Sequence, residues 1–311
     1  MAGGYRNVAA LKGIDLPKLP QRPQYDSLLI GWDAADWKSI YPLLQQGKMP
    51  ALGELLHTGV YANLATLDPP ISPMLWTSIA TSTWPSAHGI HGFTEMHDGV
   101  IRAVRGSSIQ MPTYFEYLEN QGIPASSVAW WPSHPAKNSA FGAMRVSNLA
   151  VSEDLRWLKD GVAPKEHREL LASLLLKPEE IPAAAIAQFF PEMESDSTDD
   201  IVRSVLKITT HALNVQLLAT FALDHSPGGH ASVYFDALDH YKHLGMKYAP
   251  PQLEGVSNED FARYQHIVES AYRFHDLCLG TLLDQLDPNG TAILISDHGF
   301  TSGKDRSIDL P

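Results

Sequence analysis

The sequence predicts an α/β protein with a mainly parallel central sheet, helices on both faces and a helical insertion. Three observations predict it. Short apolar runs such as "SLLIGWD", "SSVAWW", "ASVYF" and "TAILISD" carry little polar alternation, which suits strands covered on both faces. Those runs alternate along the chain with stretches of helical period, the pattern of a parallel sheet with helical crossovers. Several of the runs also finish on or just before Asp or His, and open parallel sheets bind ligands off the carboxyl ends of their strands.

Taken in order, residues 1–24 are dotted with Pro and Lys and read as an N-terminal arm, ahead of a domain at 25–311. "SLLIGWD" is a buried strand that ends on Asp33. "MPALGELLHTGVYANL" predicts a helix closed near Gly59 and a strand around Tyr61–Leu64. In "SPMLWTSIAT", Ser72 followed by Pro73 is a helix start, serine at the N-cap and proline at the first helical position. "TYFEYLENQGIP" is a helix stopped by Gly122 and Pro124, and "SSVAWW" is the next buried strand. From about 151 to 200, short helical stretches broken by prolines predict a helical insertion, a candidate cap over a substrate pocket. "DDIVRSVLKITTHALNVQLLATFAL" is a long helix with an acidic first turn. "ASVYFDALD" is a strand ending on carboxylates, "DFARYQHIVESAYRFHDLCLGTLLDQL" a second long helix, and "TAILISDHGF" a strand ending on Asp297 and His298.

Composition narrows the chemistry. The net charge is −12, without a basic stripe, which disfavours nucleic acid as a partner. Cys278 is the single cysteine, so no internal disulfide forms and any metal site must draw on the 14 His and the carboxylates. The N-terminus lacks the apolar core of a secretion signal, and no run approaches the ~20 apolar residues of a membrane span. The expectation is a soluble cytoplasmic protein with no membrane partner.

Asp33, Asp239 with His243 four residues on, and the pair Asp297 and His298 all fall at or near strand ends. Singly, each has a plain reading as a cap, a turn or a surface residue. Together, converging on one sheet edge near the helix start at Ser72, they read as metal ligands around a nucleophile.

These segments resemble the alkaline phosphatase superfamily, in its type I phosphodiesterase/nucleotide pyrophosphatase branch. "LLIGWDAADW" resembles the branch's first strand and metal aspartate. "SPMLWTSIATSTWPSAHGIHGF" resembles its nucleophile segment, with "P-x-x-HGI" reaching His88. "FDALDHYKHLG" resembles its D-x-x-x-H metal pair, and "ILISDHGF" its "SDHG" strand end. The resemblance runs from about residue 25 to the end and implies an alkaline phosphatase-like fold. It implies that Asp33, Asp297, His298 and the Ser72 hydroxyl hold one divalent ion, and that Asp239 and His243 hold a second with one further histidine. Such ions sit ~4 Å apart; zinc fits the donor types, with manganese as the alternative. The implied activity is hydrolysis of a small-molecule phosphoric ester through a phosphoseryl intermediate on Ser72. Backbone N–H groups of the helix starting at Pro73 are expected to help bind the anion.

Two departures stand out. The family's last histidine lies well downstream of "SDHG", whereas no histidine follows His298 before Pro311. The resemblance therefore implies a C-terminally incomplete chain, unless His88, His91 or another histidine stands in. The asparagine with which many pyrophosphatases of the branch hold phosphate falls near Phe93, so nucleotide preference does not carry over. The aromatics and His134 of "WWPSHP" are either a pocket lining or, more simply, core at a strand end. Alternatives on the same fold are a phosphomutase or phosphotransferase and a sulfatase, the last lacking its C/S-x-P-x-R pattern here. A catalytically inactive module that binds a phosphorylated ligand is the alternative from another class.

Overall fold

The computed structural model describes residues 3–19, 23–152, 154–191 and 198–306. Of the predicted insertion at 151–200, residues 153 and 192–197 lie outside the described residues. Eight strands occur among the described residues: β1 (Tyr25–Trp32), β2 (Thr94–His97), β3 (Val100–Ala103), β4 (Ala125–Val128), β5 (Arg145–Val146), β6 (Val162–Ala163), β7 (Gly229–Phe235) and β8 (Leu286–Ile295). Six form one sheet in the order β6-β5-β4-β7-β1-β8, parallel except for the short β5–β6 pair. The mainly parallel, helix-flanked sheet expected from the sequence is the architecture found.

The strands are apolar on both sides because both sides are covered. Leu28, Ile30 and Trp32 of β1 join the larger core, with the helices Asp200–His225 and Ile267–Leu283. Leu29 instead packs on the smaller cluster of Trp76, Ala80, Phe115, Trp130 and Tyr234. Successive side chains of a strand alternate between faces, so this one run supplies both layers. The 26-residue helix Asp200–His225 starts where Asp199 accepts the N–H groups of Ile201 and Val202, the side-chain cap its acidic start announced.

The N-terminal residues are docked. The helix Tyr5–Lys12 lies on the long helix, with the Tyr5 hydroxyl donating to Asp224 at 2.9 Å and its N–H to Thr220 at 3.0 Å.

Three local expectations differ from what is found. Residues 61–64 are coil rather than strand, with Tyr61 and Leu64 exposed, because no described strand runs beside them to complete a ladder. The predicted second long helix is two, Asn258–Tyr264 and Ile267–Leu283. The break lets the Tyr264 hydroxyl reach Asp199 at 2.6 Å, while Ile267 packs against Gly245, where a Cβ would meet it at 2.5 Å. Finally β4 stops at Val128, since Ala129 turns the chain with a positive φ of 60°.

Candidate metal and nucleophile site

β1, β7 and β8 are parallel neighbours, so their carboxyl ends deliver their next residues to one edge. Asp33 follows β1, fixed by its N–H to the Phe235 carbonyl at 3.0 Å, and the chain turns at once through Ala34 with φ 59°. Its two oxygens have separate duties. Oδ2 accepts the Tyr234 hydroxyl at 2.5 Å and Trp76 Nε1–H at 3.2 Å. Oδ1 faces Ser72 Oγ at 3.5 Å and His298 Nε2 at 3.3 Å. Burial, with Asp33 beside it, holds the Tyr234 phenol well above its ordinary range, so it stays a donor.

Asp297 and His298 follow β8 across the same edge. Asp297 Oδ1 accepts the Ala34 N–H at 3.3 Å, whereas its buried Oδ2 makes no hydrogen bond. Burial and then the Asp33 charge push this carboxyl up to about 8. His298 donates Nδ1–H to the Gly299 carbonyl at 2.8 Å, which leaves Nε2 turned to Asp33, Asp297 (3.7 Å) and Ser72 (3.4 Å). That is the arrangement of a ligating imidazole, its tautomer set by the bond at the other nitrogen. Burial works to lower the His298 value, but the bond to Asp33 and the charge of Asp297 outweigh it and raise it to about 9.

Asp239 and His243 lie four residues apart on the helix Ala237–Gly245 and therefore on one face. Their side chains meet at 3.4 Å, and Asp239 Oδ1 is buried without a hydrogen bond. Burial first, and Asp33 second, raise the Asp239 carboxyl. Ligand atoms of Asp33, Asp239 and His298 all lie within 4.8 Å of one another. The three segments nominated from the sequence thus come together, and the tightest trio draws one residue from each.

Ser72 corrects one expectation. It is the first helical residue rather than the N-cap, which is Ile71, and its hydroxyl makes no cap bond. The hydroxyl is turned instead to Asp33 and His298. The expected set of free N–H donors is reduced. Pro73 has none, and Met74 and Leu75 both donate to the Ile71 carbonyl at 3.0 Å. What the helix still offers an anion is its positive end.

The remaining histidines are placed clearly. His88 is fully buried, bonded to Ser78 at 2.9 Å and to the Ile90 N–H at 3.1 Å, and His91 is exposed; neither joins the trio. His134 is buried against Ser147 and Trp157, and Trp130 is core, its indole N–H on the Trp76 carbonyl. Trp131 differs, packing against Phe93 at 5.2 Å.

Sequence reasoning missed Tyr234 and Trp76, which orient Asp33, and Asp236. A signal existed for the second, since Trp76 is four residues past Ser72 and so on the same helix face. Asp236 directly follows β7 and faces His211 at 2.8 Å and His240 at 3.7 Å. Burial opposes its ionisation, but the imidazoles, His211 first, hold it well below the usual carboxylate range. The site opens into a cleft of about 500 Å³ whose lining includes Ser72, Asp239, His243 and His298.

The fold and site together define an α/β protein with a mainly parallel sheet whose carboxyl edge gathers aspartates, histidines and a helix-start serine. Comparison with known proteins gives the family. A sequence model of the type I phosphodiesterase / nucleotide pyrophosphatase family matches residues 27–310, and the chain belongs to that family. No curated protein matches. Among solved structures, the chain is similar to phosphonoacetate hydrolase from Sinorhizobium meliloti 1021 in complex with phosphonoformate, at 15% identity and a TM-score of 0.44. The complex of that enzyme with phosphonoacetate gives 17% and 0.45. Each alignment covers 91% of this chain and 59% of the other, so the chain spans less than two thirds of that enzyme's length.

Proposed function

We propose that this chain hydrolyses small-molecule phosphoric esters, as a phosphodiesterase in type, with divalent cations as cofactors and Ser72 as the nucleophile. The observation that carries the reading is the Ser72 hydroxyl, released from helix capping and set against Asp33 and His298 at the floor of a cleft. The donor set suits a cation. Two buried carboxylate oxygens, Asp239 Oδ1 and Asp297 Oδ2, have no hydrogen-bond partner, and a cation would satisfy both. Asp33, Asp297, His298 and Ser72 would hold one ion, while Asp239 and His243 would contribute to a second. Oxygen and imidazole donors favour zinc, with manganese as the alternative. Such ions supply Lewis acidity and neutralise phosphoryl charge.

The residues supply the rest. The Ser72 hydroxyl lies 3.5 Å from Asp33 Oδ1, and Tyr234 and Trp76 keep that carboxylate from rotating away. Oγ passes its proton to Asp33 Oδ1 and forms its bond to phosphorus as the bond to the leaving group breaks, and that group departs as an alkoxide that takes a proton from solvent. Water then attacks the phosphoserine, the P–Oγ bond breaks, and the hydroxyl is restored. The positive end of the helix Ser72–Thr81 favours the anion throughout.

The test is p-nitrophenolate release from bis-p-nitrophenyl phosphate and p-nitrophenyl phosphate with zinc or manganese added. Metal-dependent turnover that a chelator abolishes, faster on the diester, is expected. A metal-loaded chain inert towards both would overturn the reading.

A further inference from the structure

We infer that the cleft selects phosphoric esters whose second organic group is an uncharged apolar ring, and that Phe93 is the residue that reads it. The inference rests on the function proposed above and names its substrate class. Apolar surface begins beside the hydroxyl itself, because Pro70 and Ile71 line the cleft next to Ser72. Phe300, two residues past His298, lines it as well. Its ring is held by the His243 ring at 5.0 Å and by Lys242 Nζ at 5.5 Å. Phe93 completes this wall. It is 55% exposed, an open ring face in a chain that buries most of its aromatics. Trp131 props it at 5.2 Å with a 55° tilt, so little freedom remains to be lost when a second ring docks.

Charge points the same way. Among the described lining residues there is no Lys or Arg, and Asp305 adds an acid. The nearby cations are committed elsewhere. Lys242 is fully buried and bound to Asp36 and the Ala34 carbonyl. Arg306 donates to the carbonyls of Gly303, Ala249 and Pro251. An anionic organic group would meet Asp305 with no Lys or Arg in the lining to offset it, whereas an uncharged ring would cover Phe93 and displace water from it.

The experiment compares phenyl, 4-carboxyphenyl and methyl p-nitrophenyl phosphate, which share one leaving group, on the metal-loaded chain and on Phe93→Ala and Phe93→Tyr. The phenyl ester is expected to exceed both others about tenfold in kcat/KM, through KM. Phe93→Ala is expected to shrink the phenyl-to-methyl ratio to within about threefold, and Phe93→Tyr to keep it. Equal ratios in the wild type and Phe93→Ala, or preference for the carboxylated ester, would overturn the inference. Calorimetry with phenylphosphonate and methylphosphonate separates this from failure of the proposed function. If no ester turns over, a roughly tenfold tighter phenylphosphonate that loses its advantage in Phe93→Ala still supports the ring site. Equal affinities would sink it.

Discussion

Asp33 divides its carboxylate between support and chemistry, and the division can be tested one atom at a time. Oδ2 belongs to Tyr234 and Trp76, and Oδ1 belongs to the site. Tyr234→Phe removes one of the two anchors without touching the cleft. It is expected to lower kcat/KM and metal affinity about 10- to 100-fold, the usual effect of losing a support behind a ligand; unchanged metal affinity by calorimetry would contradict this. The other anchor depends on a glycine. A Cβ at Gly31 would meet the Trp76 ring at 2.7 Å, so Gly31→Ala must displace the indole that holds Asp33. Urea denaturation should show a loss of about 1–3 kcal/mol, together with lower activity. Burial and the Asp33 charge hold the Asp297 carboxyl above its ordinary range, and a cation bound there would favour loss of its proton. Metal binding measured in buffers of different ionisation enthalpy should therefore release protons, and no release would argue against Asp297 as a ligand.

At the scale of elements, the site depends on how the helix Ala237–Gly245 is tied to the loop after β1. Lys242 makes the tie, fully buried, on Asp36 and the Ala34 carbonyl, while its neighbours on the helix, Asp239 and His243, face the cleft. Removing one member of a buried ion pair strands the other charge, at about 3–5 kcal/mol. Lys242→Met should show such a loss by denaturation, and Asp36→Asn in the same chain should recover part of it. Additive losses would mean the two residues do not act as a pair. The placement of the site residues was legible in the sequence because spacing decides it, as with Asp239 and His243 four apart, or Asp297 and His298 closing an apolar run. The β2–β3 hairpin was not foreseen, although Asp98 and Gly99 at its tip take the positive φ values, 50° and 77°, that an Asp-Gly turn signals. The two-residue strands β5 and β6 are too short to carry a period, and the Tyr61–Leu64 run has a strand's composition without a described partner to pair with.

For the whole molecule, the many histidines divide into those of the site and those that are structural, and the second group makes folding sensitive to acid. His275 is enclosed by Trp32, Phe235, Tyr241 and Phe274, and burial pushes it down to about 4, the Ala271 carbonyl and Asp236 only partly opposing. His230 is likewise lowered to about 4, by burial and then by Arg145. Both folded values lie below the ordinary 6.5, so the unfolded chain binds protons that the folded chain refuses. Their contribution to stability is present above pH 6.5 and is lost as the pH falls towards 4. His275→Phe should flatten the fall in urea midpoint between neutral and mildly acidic pH; an unchanged slope would contradict the assignment. No described helix is long and apolar enough to cross a membrane. The mainly parallel sheet and the meeting of strand-end residues at one edge were legible in the sequence, because a parallel sheet sends every strand end to one edge, whereas the strand order was not. Nor was the orientation of Asp33 by Tyr234 and Trp76, since it depends on which faces of two distant segments meet.

The central claim is that Ser72 carries the phosphoryl group. The most direct measurement is an acid quench of the metal-loaded chain during turnover of bis-p-nitrophenyl phosphate, followed by peptide mass spectrometry. Phosphate on Ser72, absent from Ser72→Ala and from samples quenched before substrate, is the predicted result. Sustained turnover with Ser72 never phosphorylated, or turnover that survives Ser72→Ala, would contradict it.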